Sequence, residues 1–469
     1  MTFYSLIIVI AALGFLMWMA YKGHSVILFA PIAAMGAVLL TNPGLVAPVF
    51  TGLFMSKMVG FILNYFPVFL LGAIFGKLME ISGFAKSIVS AVITMVGARN
   101  AMLTIVLVGA LLTYGGVSLF VVVFAVYPFA AEMFRQGNIP KRLIPGTIAL
   151  GAFTFTMDAI PGTPQIQNII PTTFFNTTGY AAPVLGIIGG IFVFVFGMAY
   201  LEWQRRKALA KGEGYGEGHI NEPTTYATDG NQPHPLLALA PLVIVGVVNL
   251  IMTRMIPGWF GKETTFDATV VGKPAPVTVA TASNIGIWAV LVALLVGILF
   301  VVVTAFGTIR KHFAEDVKPA IAGSLLATMN TASEYGFGAV IASLAGFKIV
   351  ADGLTAIPDP LVREAVTVTS LAGITGSASG GMSIALGAMS QSFIDAANAV
   401  GIPMDVLHRV AAMASGGMDT LPHNGAVITL LAVTGLTHRS SYKDIFAMTI
   451  IKTIAVFVII GVYYATHLV

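Results

Sequence analysis

Two short segments far apart in the chain each place an aspartate three residues before a proline in an apolar background. Asp158 lies in the segment TMDAIPGT and Asp419 lies in the segment GMDTLPHN. An offset of 261 residues carries Asp158 onto Asp419 and Pro161 onto Pro422. A carboxylate at membrane depth is costly unless it lines a polar cavity or finds a partner. Such a carboxylate can exchange a proton or bind a cation, so the sequence predicts that both aspartates take part in ion coupling.

Two glycine-rich segments repeat with the same offset, which carries Gly115 of YGGVS onto Gly376 of GSASGG. A glycine-rich break exposes backbone N–H groups at the start of the next helix, where partial positive charge favours an anion. The hydroxyl groups of Ser118, Ser377 and Ser379 add further donors. Close helix packing through small residues is the alternative explanation. Because the two breaks occur in register, we favour a binding role.

The predicted site combines these breaks with neighbouring polar residues, since uncharged amides suit the recognition of hydroxyl and carboxylate groups. The predicted substrate-binding residues are Tyr114, Gly115, Gly116, Ser118, Thr163, Gln165, Asn168, Ser377, Ser379, Gly380, His423 and Asn424. The predicted ion-coupling residues are Asp158, Asp419 and Glu334, the last because it has no obvious partner nearby in the sequence.

Other roles for these residues stay open at the level of sequence. Asp158 or Asp419 can serve as the N-cap of a helix, a position that aspartate favours. A lone buried histidine such as His423 is often a satisfied structural residue. The oxygen atoms around the breaks suit Na⁺ as well as a proton.

The composition assigns the chain to the membrane proteins. It has 469 residues, of which 57% are hydrophobic and 9% charged, with a mean hydropathy of +0.91. A soluble domain carries about 25% charged residues. The absence of cysteine excludes disulfides and cysteine metal sites, and a net charge of +4 gives no indication of nucleic-acid binding. No nucleotide-binding glycine loop, metal cluster or nucleophile elbow occurs, so we expect a protein that is not an enzyme and needs no cofactor.

The apolar segments divide the chain into four predicted parts. These are N-terminal spanning helices (1–56), repeat 1 (57–201), a cytoplasmic linker with connecting spans (202–318) and repeat 2 (319–469). Two regions rich in Gly, Pro, Ser, Thr and Asn, 86–176 and 360–437, predict short helices and re-entrant hairpins. The predicted spanning helices are 3–20, 25–41, 58–80, 180–201, 236–256, 284–307, 319–347 and 444–465.

The positive charges predict the orientation of the two repeats. The polar segment 202–234 begins with basic residues and reads as a flexible linker in the cytoplasm. Crossing the membrane from there places the start of repeat 2 inside and the start of repeat 1 outside. The predicted fold is therefore an all-α polytopic membrane protein with two inverted-topology repeats, broken helices and a site between the repeats.

The motifs resemble those of the gluconate permease family of bacterial inner-membrane carriers. The resemblance extends from about residue 60 to the C-terminus, and the matching motifs are YGGVSLF from Tyr114, NIP from Asn138, IPG from Ile160 and GSA from Gly376. It implies paired re-entrant hairpins, elevator-type movement and proton-coupled uptake of a small carboxylate across the inner membrane. Related carriers of this type are dimers, so the resemblance also implies a homodimer.

One departure from the family concerns the substrate. Gluconate-type members carry the segment THGFLPPHPG where this chain has TMDAIPGTPQ, beginning at Thr156. The chain resembles more closely the branch associated with short hydroxy acids, notably 3-hydroxybutyrate. We therefore expect proton-coupled uptake of a short hydroxy or keto monocarboxylate. The alternatives are a gluconate-like or citrate-like substrate, a Na⁺-coupled carrier and, more remotely, a channel or an intramembrane aspartyl protease.

Overall fold

The computed structural model describes residues 2–22, 24–96, 100–117, 119–222, 233–267, 276–310, 313–422 and 424–469. In these residues the chain is predominantly helical. The first part contains α1 (Thr2–Tyr21), α2 (Val26–Thr41), α3 (Val46–Val49), α4 (Ser56–Ile81), α5 (Phe84–Val96), α6 (Ala101–Tyr114), α7 (Leu119–Gln136), α8 (Ile144–Ala152), α9 (Phe155–Asp158), α10 (Ile166–Phe175) and α11 (Pro183–Ala210).

The second part continues with helices of the same kinds. They are α12 (Pro235–Phe260), α13 (Ile285–Thr304), α14 (Phe306–Ile309), α15 (Phe313–Ser343), α16 (Ala345–Thr355), α17 (Pro360–Thr375), α18 (Ala378–Ala399), α19 (Met404–Gly416), α20 (Gly425–Thr434) and α21 (His438–Thr466). Shorter turns join some of them, namely the 3-10 segments Pro43–Leu45, Lys141–Leu143 and Gly417–Thr420 and the π-helical segment Phe50–Met55.

The long helices have the length and apolarity of membrane spans. Within the described ranges, five helical segments pass that test, and a sixth span arises if a bent pair of helices is counted as one. The bent pair is α15 with α16, which meet at 92°. The five segments are Pro43–Ile81, Pro183–Ala210, Pro235–Phe260, Ile285–Thr304 and His438–Thr466.

One predicted span is wrong in its extent. The segment 319–347 was expected to be continuous, but α15 ends at Ser343 and Leu344 is extended, with φ −81° and ψ 142°. The next turn lies directly against α1, where the Gly346 amide donates to Ser5 Oγ at 2.8 Å. A Cβ on Gly346 would overlap the α1 backbone. This close approach of two backbones explains why the chain turns there.

The predicted flexible linker at 202–234 is corrected over residues 202–222, whereas residues 223–232 lie outside the described residues. Residues 202–210 continue α11, because strong helix formers follow one another and Glu202 pairs with Arg205 and Arg206 at 2.7 and 2.9 Å. Residues 211–222 then lie against the helical bundle. The Glu222 carboxylate accepts from Arg135 at 2.6 Å and from Lys141 at 2.7 Å. The described part of the linker is thus a strap fixed by ion pairs.

The connection between α12 and α13 contains a pair of strands that the all-α prediction omitted. Strand β1 (Glu263–Phe266) pairs antiparallel with β2 (Val277–Ala280), with Glu263 opposite Ala280. Their sequences, ETTF and VTVA, are rich in β-branched residues, which favour extended backbone. The two strands form a small antiparallel pair in the connection between two helices.

The same order of elements occurs twice. Helices α4 to α8 correspond to α15 to α19, the short helix α9 corresponds to the turn Gly417–Thr420, and α10 and α11 correspond to α20 and α21. Packing between the halves is reciprocal: α4 lies against α15, α11 against α21, α7 against α20 and α10 against α18. Reciprocal contacts of this kind are the mark of two-fold symmetry.

The equivalent helices α11 and α21 run antiparallel. The Val184 amide donates to the Val469 carbonyl at 3.3 Å near the start of α11. Further along α11, Tyr200 donates to Asp444 near the start of α21 at 2.9 Å. Equivalent helices that run in opposite directions are what inverted repeats require. The division at 57–201 and 319–469 remains a prediction.

Candidate substrate and ion site

The two Asp-x-x-Pro breaks meet inside the bundle. Residues 159–165 separate α9 from α10, and residues 421–424 separate the turn Gly417–Thr420 from α20. Gln167, in the first turn of α10, donates from Nε2 to Asp419 Oδ2 at 2.8 Å. Both side chains are buried. The structure therefore brings together the two Asp-x-x-Pro breaks, which in the sequence are related only by their spacing.

The Asp419 carboxylate is held by neutral donors. Its Oδ1 accepts from the Ala378 amide at 3.0 Å and from Asn424 Nδ2 at 3.2 Å. Ala378 is the first residue of α18, so Asp419 lies at the positive end of that helix. Asp419 thus binds the start of α18 without being an N-cap residue, since the N-cap of α18 is Ser377 and that of α20 is Asn424.

The Asp158 carboxylate is held by a cation. It forms an ion pair with Lys452 of α21, and both side chains are fully buried. Gly416 provides the space, because a Cβ at that position would overlap the Asp158 carboxylate and the Lys452 ammonium. A buried pair of this kind loses its compensation if either partner is removed. Asp158 is the last residue of α9 and so is not its N-cap, and the two aspartates differ in their surroundings.

A buried arginine braces the first break. Arg409 of α19 donates to the Ala181 carbonyl at 2.7 Å, to Asn168 Oδ1 at 3.0 Å and to the Asp158 carbonyl. Its neighbour His408 contacts Thr177 Oγ1 at 2.7 Å. The guanidinium is thus engaged by protein oxygens and stabilises the irregular backbone around α9.

Glu334 lies beside the second glycine-rich break. A Cβ on Gly380 would overlap the Glu334 carboxyl group, which places that group against the first turn of α18. Ser377 caps the same turn, with its Oγ accepting from the Gly380 amide at 3.1 Å. Thr331 and Ser379 face each other at 3.4 Å between their hydroxyl oxygens. Glu334 thus lies beside Ser377 and Gly380 of the second break, and its role in ion coupling remains a prediction.

The first glycine-rich break is occupied by protein groups. Gln165 donates to the Thr113 carbonyl at 2.7 Å and to the Val117 carbonyl at 3.3 Å. The Tyr114 hydroxyl donates to the Pro161 carbonyl at 2.9 Å. Gly115 lies against the Leu242 side chain of α12. These contacts support the packing explanation for this break more than the binding explanation.

Other predicted residues separate into two groups. Asn168 donates to the carbonyls of Thr163 and Gly179 at 2.9 Å each, so its role in the structure is to hold the break. Gly116 has a φ of +93° and packs against Pro164, which favours glycine there. Ser118 and His423 lie outside the described residues.

Several buried oxygen atoms in this region have no hydrogen-bond partner among the residues that the structure describes. They are Asp158 Oδ1, Thr163 Oγ1, Gln167 Oε1 and Glu334 Oε2. Three of these four atoms are pure acceptors, and a buried acceptor is normally satisfied by a donor or a cation. A proton, a cation or the hydroxyl group of a ligand would satisfy these acceptor atoms.

Lys452 and Arg409 are not among the residues predicted from the sequence. The signal was present: Lys452 is a single basic residue within the apolar run FAMTIIKTIAVF, and an ionisable residue in a span is a functional candidate by default. Neither residue lies in a duplicated motif, so a search by repeats passes over both.

The described residues hold no group of three or more His, Asp or Glu side chains suited to a metal ion.

No protein-family model matches the chain. A full-length relative does: the chain is 56% identical over 472 residues to a protein of Bacillus subtilis (strain 168) named "Uncharacterized transporter YxjC", with 99% of this chain and 100% of the relative covered. The chain belongs to the YxjC transporter family.

A solved structure agrees with this assignment at the level of the fold. The crystal structure of the Alcanivorax borkumensis YdaH transporter, described as having an unusual topology, matches with a TM-score of 0.56 and 16% sequence identity. The match covers 91% of this chain and 90% of that one. The YxjC-family chain is thus an all-α polytopic membrane transporter, and its fold class is as predicted.

Proposed function

We propose that this transporter carries a small monocarboxylate, a short hydroxy or keto acid such as 3-hydroxybutyrate, into the cell together with protons. The observation that carries the proposal is the buried Asp158–Lys452 pair beside the point where the two breaks meet. The pair supplies one cation for a carboxylate and one acid that can take up a proton. The surrounding acceptors suit the hydroxyl group of the substrate.

The number of available cations supports one carboxylate over three. Arg409 is engaged by protein oxygens, whereas Lys452 contacts a side chain that a proton can neutralise. A citrate-like substrate would bring up to three negative charges to one ammonium group, and desolvated anions need compensation. We therefore keep the monocarboxylate, with a gluconate-like acid as the alternative from the resemblance to the gluconate permease family.

Coupling to Na⁺ is the second candidate. Unpartnered oxygens of Gln167 and Glu334 lie on elements that contact Asp419 and the start of α18, and oxygen ligands also suit a sodium ion. Protons are favoured because a carboxylate paired with lysine responds directly to protonation. We further propose the bacterial inner membrane as the location and an elevator-type homodimer as the working form, both from the family resemblance.

The test is uptake of labelled 3-hydroxybutyrate by proteoliposomes under an imposed pH gradient or an imposed Na⁺ gradient. Unlabelled gluconate, lactate, acetoacetate and citrate serve as competitors. We expect saturable accumulation driven by the pH gradient and blocked by short hydroxy acids. Accumulation driven by a Na⁺ gradient alone would overturn the assignment of the proton as the coupling ion. Inhibition by gluconate or citrate alone would overturn the assignment of a short hydroxy acid as the substrate. Uptake without saturation or accumulation would indicate a channel.

A further inference from the structure

We infer that Asp158 competes with the substrate carboxylate for Lys452, and that this competition couples one proton to each substrate molecule. The inference rests on the proposed function and assigns the coupling step to a particular pair. In the structure, the Lys452 ammonium binds the Asp158 carboxylate with both side chains fully buried. Asp158 thus occupies the position on the cation that a substrate carboxylate requires.

The surroundings of Lys452 make it the cation that can change partners. An ammonium group has three donors, and within the described ranges Asp158 is its one hydrogen-bond partner. Arg409 differs, since it makes hydrogen bonds to Ala181, to Asn168 and to the Asp158 carbonyl, and releasing it would leave these carbonyls unsatisfied. Lys452 can exchange one carboxylate for another with no loss of other contacts.

Electrostatics forbid both carboxylates on Lys452 at once. Two anions next to one ammonium in a buried setting leave one negative charge uncompensated, which costs far more than in water. A proton on Asp158 removes that charge and releases Lys452. Asp158 Oδ1, which has no partner among the described residues, is a position at which the acid can hold the proton. Proton binding and substrate binding then favour each other reciprocally.

Among the described residues, Asp158 is the one ionisable group that pairs with Lys452. Asp419 is bound by Gln167, Asn424 and the Ala378 amide. Of the helices packed on α9, α8 and α10 have no charged residue, α6 has only Tyr114 near its end, and α11 carries its charges at its far end. The remaining acidic and basic groups on elements packed against α9 and α21 lie on α17, α19, α21 and the turn before α8. They are Arg363, Glu364, Asp405, His408, Arg409, Lys141, Arg142, His438, Arg439, Lys443 and Asp444.

The experiment measures the affinity of purified full-length protein for labelled 3-hydroxybutyrate across about two pH units around neutrality, with wild type beside variants. If one proton binds with each substrate, the wild-type Kd rises about tenfold per pH unit. Asp158→Asn should bind with a Kd that changes less than about twofold over the range, since no proton is required. It should also lose accumulation driven by a pH gradient.

Two further variants keep the inference testable if a single change disturbs folding. Lys452→Met should lose binding at every pH. The double variant Asp158→Asn/Lys452→Met removes both charges together, which avoids an unpaired buried ion, and should fold but bind no substrate. Asp444→Asn is the matched control. Asp444 lies on α21, as Lys452 does, and its carboxylate also pairs with a cation, the guanidinium of Arg142 at 3.0 Å. It should keep the wild-type pH dependence.

The outcomes separate the inference from the proposed function. Persisting pH dependence in Asp158→Asn, or substrate binding by the double variant, would overturn the competition while leaving a proton-coupled carrier in place. Binding of none of the tested acids by folded wild-type protein at any pH would overturn the proposed function, and the competition with it.

Discussion

Gln167 and Asp419 are 252 positions apart in the chain and are joined by a hydrogen bond of 2.8 Å. The bond connects the first turn of α10, which follows one break, to the 3-10 turn that precedes the other. Asp419 in turn accepts from the first amide of α18. Three separate elements, from both halves of the chain, are thus held at one buried carboxylate, and this convergence defines where function should be tested.

Removing the Gln167 amide should impair transport with little effect on protein abundance. In Gln167→Leu the Asp419 Oδ2 atom loses its donor, and a buried unsatisfied acceptor costs about 1–3 kcal/mol. We expect at least a tenfold loss of uptake, which corresponds to about 1.4 kcal/mol. Gln391→Leu is the control, since Gln391 bonds Asp395 on an exposed surface at 2.8 Å. Equal loss in both variants would contradict a specific role for Gln167.

Asp419→Asn should damage coupled uptake far more than expression. Aspartate accepts three hydrogen bonds here, from Gln167, Ala378 and Asn424. Asparagine has one acceptor oxygen, and its NH₂ group would meet a donor. Uptake along a pH gradient, normalised to protein in the membrane, measures the effect, with exposed Asp395→Asn for comparison. Normal uptake by Asp419→Asn would show that this carboxylate has no part in coupling.

Gly416→Ala should lower both stability and transport. The added methyl group would overlap the Asp158 carboxylate and the Lys452 ammonium, and overpacking of a filled interior typically costs about 1–3 kcal/mol. Thermal unfolding in detergent and uptake are the two measurements. Gly461→Ala of α21 is the matched control, because nothing lies within 4 Å of a Cβ there. A Gly416→Ala protein with wild-type Tm and uptake would contradict the close packing around the pair.

The strap that follows α11 should contribute to stability through Glu222. Its carboxylate accepts from Arg135, from the Tyr215 hydroxyl at 3.0 Å and from Lys141, whose side chain is fully buried. Glu222→Gln removes the charge opposite Lys141 and should lower the free energy of unfolding by about 1.5–3 kcal/mol, the usual range for hydrogen bonds to charged groups. Exposed Glu217→Gln of the same strap should leave the Tm unchanged.

A second ion pair of the strap predicts a dependence of stability on pH. Hydrogen bonds from Arg142 lower the pKa of Glu213 below its ordinary value. A carboxyl group with a depressed folded-state pKa stabilises the fold at pH above its unfolded value, near 4.3, and this contribution is lost as pH falls through the folded value. Glu213 is partly exposed, so we expect a difference of at most about 1 kcal/mol between wild type and Glu213→Gln at neutral pH. The difference in Tm should disappear in acid, and a constant difference would contradict the ion pair.

The positions of the spanning helices were predictable because local composition decides them. A run of apolar residues long enough to cross the bilayer must form a helix to satisfy its backbone, so α11 and α21 could be located from sequence alone. The bend at Leu344 could not, because it depends on Gly346 meeting the backbone of Ser5. A contact between two residues so far apart in the chain leaves no recognisable pattern in the sequence around either of them.

The sequence by itself determined the membrane class, the helical fold and the duplication that relates Asp158 to Asp419, since composition, length and spacing carry these properties. Only the tertiary structure decided how the two aspartates differ. Asp158 forms an ion pair with a lysine of α21, whereas Asp419 accepts hydrogen bonds from neutral donors of α10 and α18. Two equal motifs acquired different electrostatic surroundings because a charge interacts with whatever the fold places within a few ångströms of it, wherever that residue lies in the chain.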